Sequence, residues 1–134
     1  MKVIVCLDNN NGLMFNRRRQ SRDSNIIRDI AETINGATLR VAPYSASLFS
    51  GTLTVNASDD FLSGASDADY CFVENVHLFD YKNDIEELIV YKWNRDYPAD
   101  LYFDIDYAKE YQLRNSTDFV GTSHDKITKE VYSA

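Results

Sequence analysis

Two cysteines, Cys6 and Cys71, are all that the 134 residues contain. Two thiols form at most one disulfide, so the chain is no disulfide-framed secreted scaffold. A four-cysteine zinc site is equally impossible. Both cysteines lie in apolar, strand-like runs and read as buried free thiols. Two prolines and five glycines are too few for a collagen-like, linker-rich or disordered chain. No apolar run reaches the roughly 18 residues that a membrane-spanning helix needs. Met1-Lys2 leads straight into VIVCL, which leaves no room for a signal-peptide core and cleavage site. The expectation is a cytoplasmic protein with no membrane partner.

Catalytic signatures are scarce as well. His77 and His124 are the two histidines, and neither falls in an HxH or HExxH arrangement. Walker, GxSxG and GxGxxG motifs are absent. Ser45, Ser47, Ser116 and Ser123 stand in no context that nominates a nucleophile. Thr122-Ser123-His124-Asp125 has the residue types of a hydrolytic triad, but neighbours in sequence seldom meet a triad's geometry. These residues assign no catalytic group, metal site or cofactor. Positive charge is outnumbered: 14 Lys and Arg face 21 Asp and Glu, for a net −7. That balance disfavours nucleic acid as a partner. The deficit is uneven. Residues 1–57 hold seven basic and four acidic groups, a formal +3, whereas residues 58–134 hold seven and seventeen, a formal −10.

What is present is globular: 44% hydrophobic and 26% charged, at a length that suits one domain over residues 1–134. KVIVCL (2–7) is an apolar, β-branched run that predicts a central strand. Asn9-Asn10-Asn11-Gly12 predicts a turn, and 16–22 (NRRRQSR) an exposed polar loop. Ile26, Ile27, Ile30, Ala31 and Ile34 form one stripe of a helix over 24–35, capped by Asp23 or Ser24 and stopped at Gly36. Short strands are expected at 38–42, 53–55, 70–73 and 88–91. A short helix is expected over 43–49, where Pro43 suits a first turn, and a helical turn over 76–81. The aromatic residues in 94–106 predict a packed excursion, and 111–120 alternates weakly. Residues 125–132 fit a helix or an edge strand equally well. The order points to a three-layer α/β fold: a mixed sheet with flanking helices and antiparallel late strands.

Ligands of open α/β sheets bind at strand ends. Asp8 ends the first strand, where it either accepts hydrogen bonds from a ligand, ligates magnesium, or caps the turn. Arg17, Arg18, Arg19 and Arg22 precede the helix. They form an anion site, or ion pairs with the acidic half of this chain or a second copy, or a solvated face. Asp23 is an N-cap, or holds a protonated heterocycle. Asp96, Asp100, Asp104 and Asp106 lack cation-loop spacing and read as solvated carboxylates or arginine partners. Trp93, Tyr97 and Tyr102 read as core or interface packing rather than base-stacking groups.

The order of elements resembles the dihydrofolate reductase family. VIVCLDNNNGLM resembles that family's first strand and glycine-containing loop, and QSRDSNIIRDI its next helix. The resemblance implies that Asp23 takes the place of the acidic residue that binds the pteridine. TLRVAPYSASLF, YCFVENVHLF and EELIVYKWNRDYPADLYFDID follow in matching order, and STDFVGTSHDKITKEVY resembles the final hairpin. The chain departs from the pattern at Val73-Glu74-Asn75-Val76, where the family has glycines against a nicotinamide dinucleotide, and in LMFNRRR, which lacks the family's proline. NRRRQSRD, YKWNRDYPAD and YFDID also resemble a family of small Firmicutes proteins often labelled ribonuclease Z. That label implies a two-metal HxHxDH centre, which this sequence lacks. The functional expectation is a noncatalytic ligand-binding or interaction domain. Its partner would be a small anionic or nucleotide-like ligand, or a second copy of the chain. An NADPH-dependent reductase is the alternative, and a metal-dependent ribonuclease a weaker one.

Overall fold

The computed structural model describes residues Met1–Ala134. In chain order its elements are β1 (Lys2–Leu7), β2 (Gly12–Phe15), β3 (Arg18–Arg19), α1 (Ser24–Ile34), β4 (Leu39–Val41), a 3₁₀ helix (Pro43–Phe49), β5 (Val55–Ala57), β6 (Tyr70–Phe72), a second 3₁₀ helix (Phe79–Asp84), β7 (Glu87–Lys92), β8 (Leu101–Tyr102), α2 (Tyr107–Glu110), β9 (Gln112–Phe119) and β10 (Ile127–Ser133). Seven strands form one sheet in the order β5-β4-β6-β1-β7-β10-β9. β1 lies between β6 and β7 and is parallel to both, as its two-sided apolar composition requires. β10 runs antiparallel to β7 and to β9, which makes the sheet mixed with antiparallel late strands.

The pleat of β1 divides the interior. Val3, Val5 and Leu7 face one core with Leu13, Met14, Leu78, Phe103 and Tyr107. Ile4 faces the other, with Ile26, Ile27, Ile30 and Ile34 of α1. Each buried isoleucine contributes about 1.5–3 kcal/mol, and this stripe holds α1 down more than helix propensity does. Ala31, expected in the stripe, is half-buried at its margin. α1 ends where Asn35 takes a left-handed backbone, φ 48°, one residue before Gly36.

Several expectations shift. The strand expected at 53–55 forms at Val55–Ala57, because the N–H groups of Thr52 and Leu53 still bond back to Phe49 O and prolong the turn. The helical turn expected at 76–81 starts at Phe79, where Asp104 accepts from the N–H groups of Leu78 and Phe79. The loop 16–22 is partly a hairpin: Asn16 and Arg17 both take positive φ, and this turns β2 back into β3. Residues 125–132 resolve as strand, and not at an edge. β10 is covered on both sides, and β9 is the edge. A register shift at Val131/Tyr132 and the exposed Arg114 and Asp118 blunt that edge against further pairing.

Cys71 is buried and Cys6 half-buried, both unpaired. Burial pushes the Cys71 thiol up to about 11. Burial, with Glu74 nearby, raises Cys6 further still. Thiolate is the reactive form. An aromatic disulfide reagent at pH 8 is therefore expected to leave the native protein unmodified and to titrate both thiols after unfolding in guanidinium. A thiol that reacts rapidly in the native state would contradict this packing.

Candidate functional site

Two buried carboxylates stand where strand ends and the α1 N-terminus meet. Asp8 is 2% exposed. Its Oδ1 accepts from the N–H groups of Asn10 (2.9 Å) and Gly12 (2.8 Å), and its Oδ2 from Gln20 Nε2 (3.0 Å) and Tyr97 N–H (3.1 Å). Asp8 thus ties three loops together, and both oxygens are taken by the chain's own donors. Gly12 belongs to this arrangement. A Cβ there would lie 2.5 Å from Gln20 Nε2 and 3.0 Å from Asp8 Oδ1.

Asp23 is the N-cap of α1 and is 3% exposed. Oδ1 accepts from the N–H groups of Asn25 and Thr122 (both 2.9 Å) and from the Thr122 hydroxyl (3.0 Å). Oδ2 accepts from Ser123 N–H (3.0 Å) and lies 2.9 Å from His124 Nδ1. Burial pushes this carboxyl's pKa up. The N–H groups of Thr122 and Ser123, with His124 and Asn25, outweigh that and hold it well below the usual carboxylate range. A charged carboxylate only accepts, so Nδ1 of His124 carries a proton, and in the neutral ring Nε2 is the acceptor. Two hydroxyls reach Nε2: Tyr97 at 2.9 Å and Ser21 at 3.1 Å. The imidazole is stacked on Trp93, ring centroids 4.7 Å apart.

The arginines separate. Arg19 turns inward and grips Glu74, Nη2 to Oε1 at 2.8 Å and Nε to both oxygens at 3.2 and 3.3 Å. Its backbone N–H donates to the Tyr44 hydroxyl, and its guanidinium covers the Tyr44 ring. For Arg19 this is the ion-pair alternative, made with the acidic half of the chain through Glu74 rather than the 96–106 aspartates. Of those, Asp100 accepts from Asn16 N–H and Asp104 from Leu78 and Phe79. Arg17 and Arg18 are exposed at the hairpin. Arg22 leaves the cluster and lines a groove of about 290 Å³ with Arg28, Ser24, Ser47, Ser50 and Thr52. No three His, Cys, Asp or Glu side chains gather to hold a metal ion. No helix is long and apolar enough to cross a membrane.

The cleft between α1 and the ends of β1, β6 and β7 is bounded by Cys6, Phe72, Trp93, Asp23 and the Arg19–Glu74 pair, and leaves about 20 Å³. That is about the room of one water. A solved structure with the same course of chain is dihydrofolate reductase from Enterococcus faecalis, complexed with NADP(H) and RAB-propyl. It has a TM-score of 0.66 over 98% of this chain and 94% of that one, at 12% identity. The chain has the dihydrofolate reductase fold. No protein-family model matches the sequence, and no curated protein matches it.

Within the reductase fold, sequence reasoning reached Asp8, Asp23 and the arginines but missed Arg28, Gln20, Ser21, Tyr97 and His124 as site residues. Ser24 and Arg28, four apart on α1, were a legible signal for the groove. Nothing local signalled that His124 would find Asp23, 101 residues away. The Trp93 and Tyr97 packing expectation matches their contacts with His124, whereas Tyr102 is 47% exposed.

Two outcomes follow from the Asp23 cradle. A Cβ at Gly121 would run into the Asp23 carboxylate and lie 2.9 Å from His124 O, so Gly121→Ala is expected to cost about 1–3 kcal/mol in denaturant unfolding. Asp23 has a folded pKa below its unfolded value of about 4. Its stabilisation is therefore complete above that pH and is lost as pH falls toward the folded value. Asp23→Asn is expected to cost about 3 kcal/mol or more at pH 7. The gap to the wild type should shrink as unfolding is measured at pH 4, 3 and 2; a constant gap would contradict the assignment.

Proposed function

We propose that this protein uses the reductase fold to bind a small phosphate- or carboxylate-bearing molecule, and not to carry out a dinucleotide-dependent reduction. The groove beside α1 carries this reading. It is lined by Arg22 and Arg28, neither within 4 Å of a carboxylate, and by the hydroxyl residues Ser24, Ser47, Ser50 and Thr52, with Ile27 and Leu48 as its apolar part. Unpaired guanidinium groups with hydroxyl donors and no carboxylate in the lining suit an anion. Asp8 and Asp23 support the site by fixing the loops around it, not by touching the ligand.

The reductase alternative rests on fold likeness to a protein complexed with NADP(H). The residues present do not fit such a cofactor. Glu74 stands in the turn after β6 and is 6% exposed. Its charge is matched by Arg19, and side chains close the cleft to about 20 Å³. A dinucleotide would have to break that pair and meet a carboxylate with its own phosphates.

Inorganic pyrophosphate is the probe for the groove. Titrated into the full chain at low salt, it is expected to raise the melting temperature in a saturable way. Arg22→Ala and Arg28→Ala should each weaken the binding about tenfold, roughly the worth of one charged hydrogen bond. NADPH fluorescence should show no saturable change. Unaltered melting with pyrophosphate, or NADPH binding that survives both substitutions, would overturn the reading.

A further inference from the structure

The hydroxyl–imidazole–carboxylate series at the α1 N-terminus has a connectivity that anion binding does not require. Asp23 Oδ2 meets His124 Nδ1 at 2.9 Å, and His124 Nε2 meets Ser21 Oγ at 3.1 Å. Asp23 and His124 are buried, with side chains 0% and 1% exposed; Ser21 is half-buried. The carboxylate orients the ring and fixes its tautomer, so that Nε2 faces the two hydroxyls of Ser21 and Tyr97 as an acceptor. This is the arrangement that activates a serine in acyl transfer, recognised by geometry and not by sequence order. Trp93 stacking prevents the ring from turning away. Ser21 and Asp23 come from one short loop, and His124 is delivered by the segment between β9 and β10, so the array exists only in the folded chain.

The geometry points to Ser21 as the nucleophile of an acyl-transfer site, with His124 as its general base and Asp23 as the group that positions His124, acting on small activated esters. In the step, the Ser21 Oγ–H proton moves to His124 Nε2 as Oγ bonds to the carbonyl carbon and the carbonyl π pair moves onto oxygen. Collapse expels the alcohol or phenol oxygen, which takes the proton from Nε2 and leaves an ester on Ser21. A water then gives a proton to Nε2 and its hydroxyl to the carbonyl carbon. Ser21 leaves with the returned proton, and the product is a carboxylic acid. Arg19 and Arg22 both line the cavity of Ser21; Arg19 is held by Glu74, which leaves Arg22 as the cation available to an oxyanion. The first-turn N–H groups of α1 are not free for it: Ser24 N–H donates to Thr122 Oγ1 and Asn25 N–H to Asp23. The cleft beside Ser21 leaves about 20 Å³, about the room of one water, so the site takes no acyl group larger than acetyl, and that one only as the Arg19 side chain shifts, with the leaving group in solvent.

Tyr97 competes for Nε2 at 2.9 Å, and the experiment must separate the two hydroxyls. The full chain is treated with p-nitrophenyl acetate, quenched in acid and mapped by peptide mass spectrometry, and release of p-nitrophenol is followed in parallel. Ser21→Ala removes one hydroxyl from a half-buried position, and near-wild-type melting checks its folding. The expected result is one acetyl group on Ser21 in the wild type and in Tyr97→Phe, and none on that peptide in Ser21→Ala. Turnover should fall about 100-fold in Ser21→Ala, the usual scale of a general-base contribution. Absence of labelling in folded wild type, labelling on Tyr97 instead, or equal turnover by wild type and Ser21→Ala would each overturn the proposal. Arg22 borders both the groove and this cleft, so labelling and turnover are measured without pyrophosphate, and a failure of pyrophosphate binding leaves their outcome unchanged.

Discussion

A carboxylate cannot be left charged and unpartnered in a protein interior. Asp23 is charged and 3% exposed, so the fold must bring donors to it. α1 supplies one N–H, from Asn25; the rest come from residues 122–124. The loop before β10 is therefore bound to the N-terminus of α1. That one requirement places His124 against Trp93, seats Gly121 where no larger residue fits, and brings Ser21 and Tyr97 to a common nitrogen. Asp8 repeats the device at the end of β1. It joins the β1–β2 turn to Gln20 and Tyr97, and Gly12 is its close-packed glycine.

The same economy of charge closes the cleft of the reductase fold. Arg19 and Glu74 stand on segments that would otherwise border an open cleft, and their pairing, reinforced by the Tyr44 ring, replaces ligand with side chain. Basic residues are thereby sorted by partner. The arginine that finds a carboxylate becomes structural, whereas Arg22 and Arg28 find none and remain available to a ligand.

Much of the architecture was legible because it follows from local periodicity. The unbroken β-branched run of β1 could only be a two-sided central strand, and the isoleucine stripe of α1 could only face a sheet. Strand ends were less legible. Leu53 belongs to a turn because of hydrogen bonds to Phe49, and the second 3₁₀ helix begins where Asp104, 25 residues away, caps Phe79. Residues 125–132 fit two periods at once, and pairing with both β7 and β9 decided between them.

The site divides along the same line. Residue type and order alone determined a strand-end aspartate, a helix-capping aspartate, a run of arginines and a glutamate after β6. They also limited the chain to two unpaired histidines and no metal-binding spacing. Which carboxylate meets which cation, which arginine stays free, and whether an isolated histidine has an orienting partner were decided by tertiary structure alone. The reason is physical: a side chain's chemistry is set by neighbours within about 3 Å, the hydrogen-bonding range, and here those neighbours lie up to 103 residues apart.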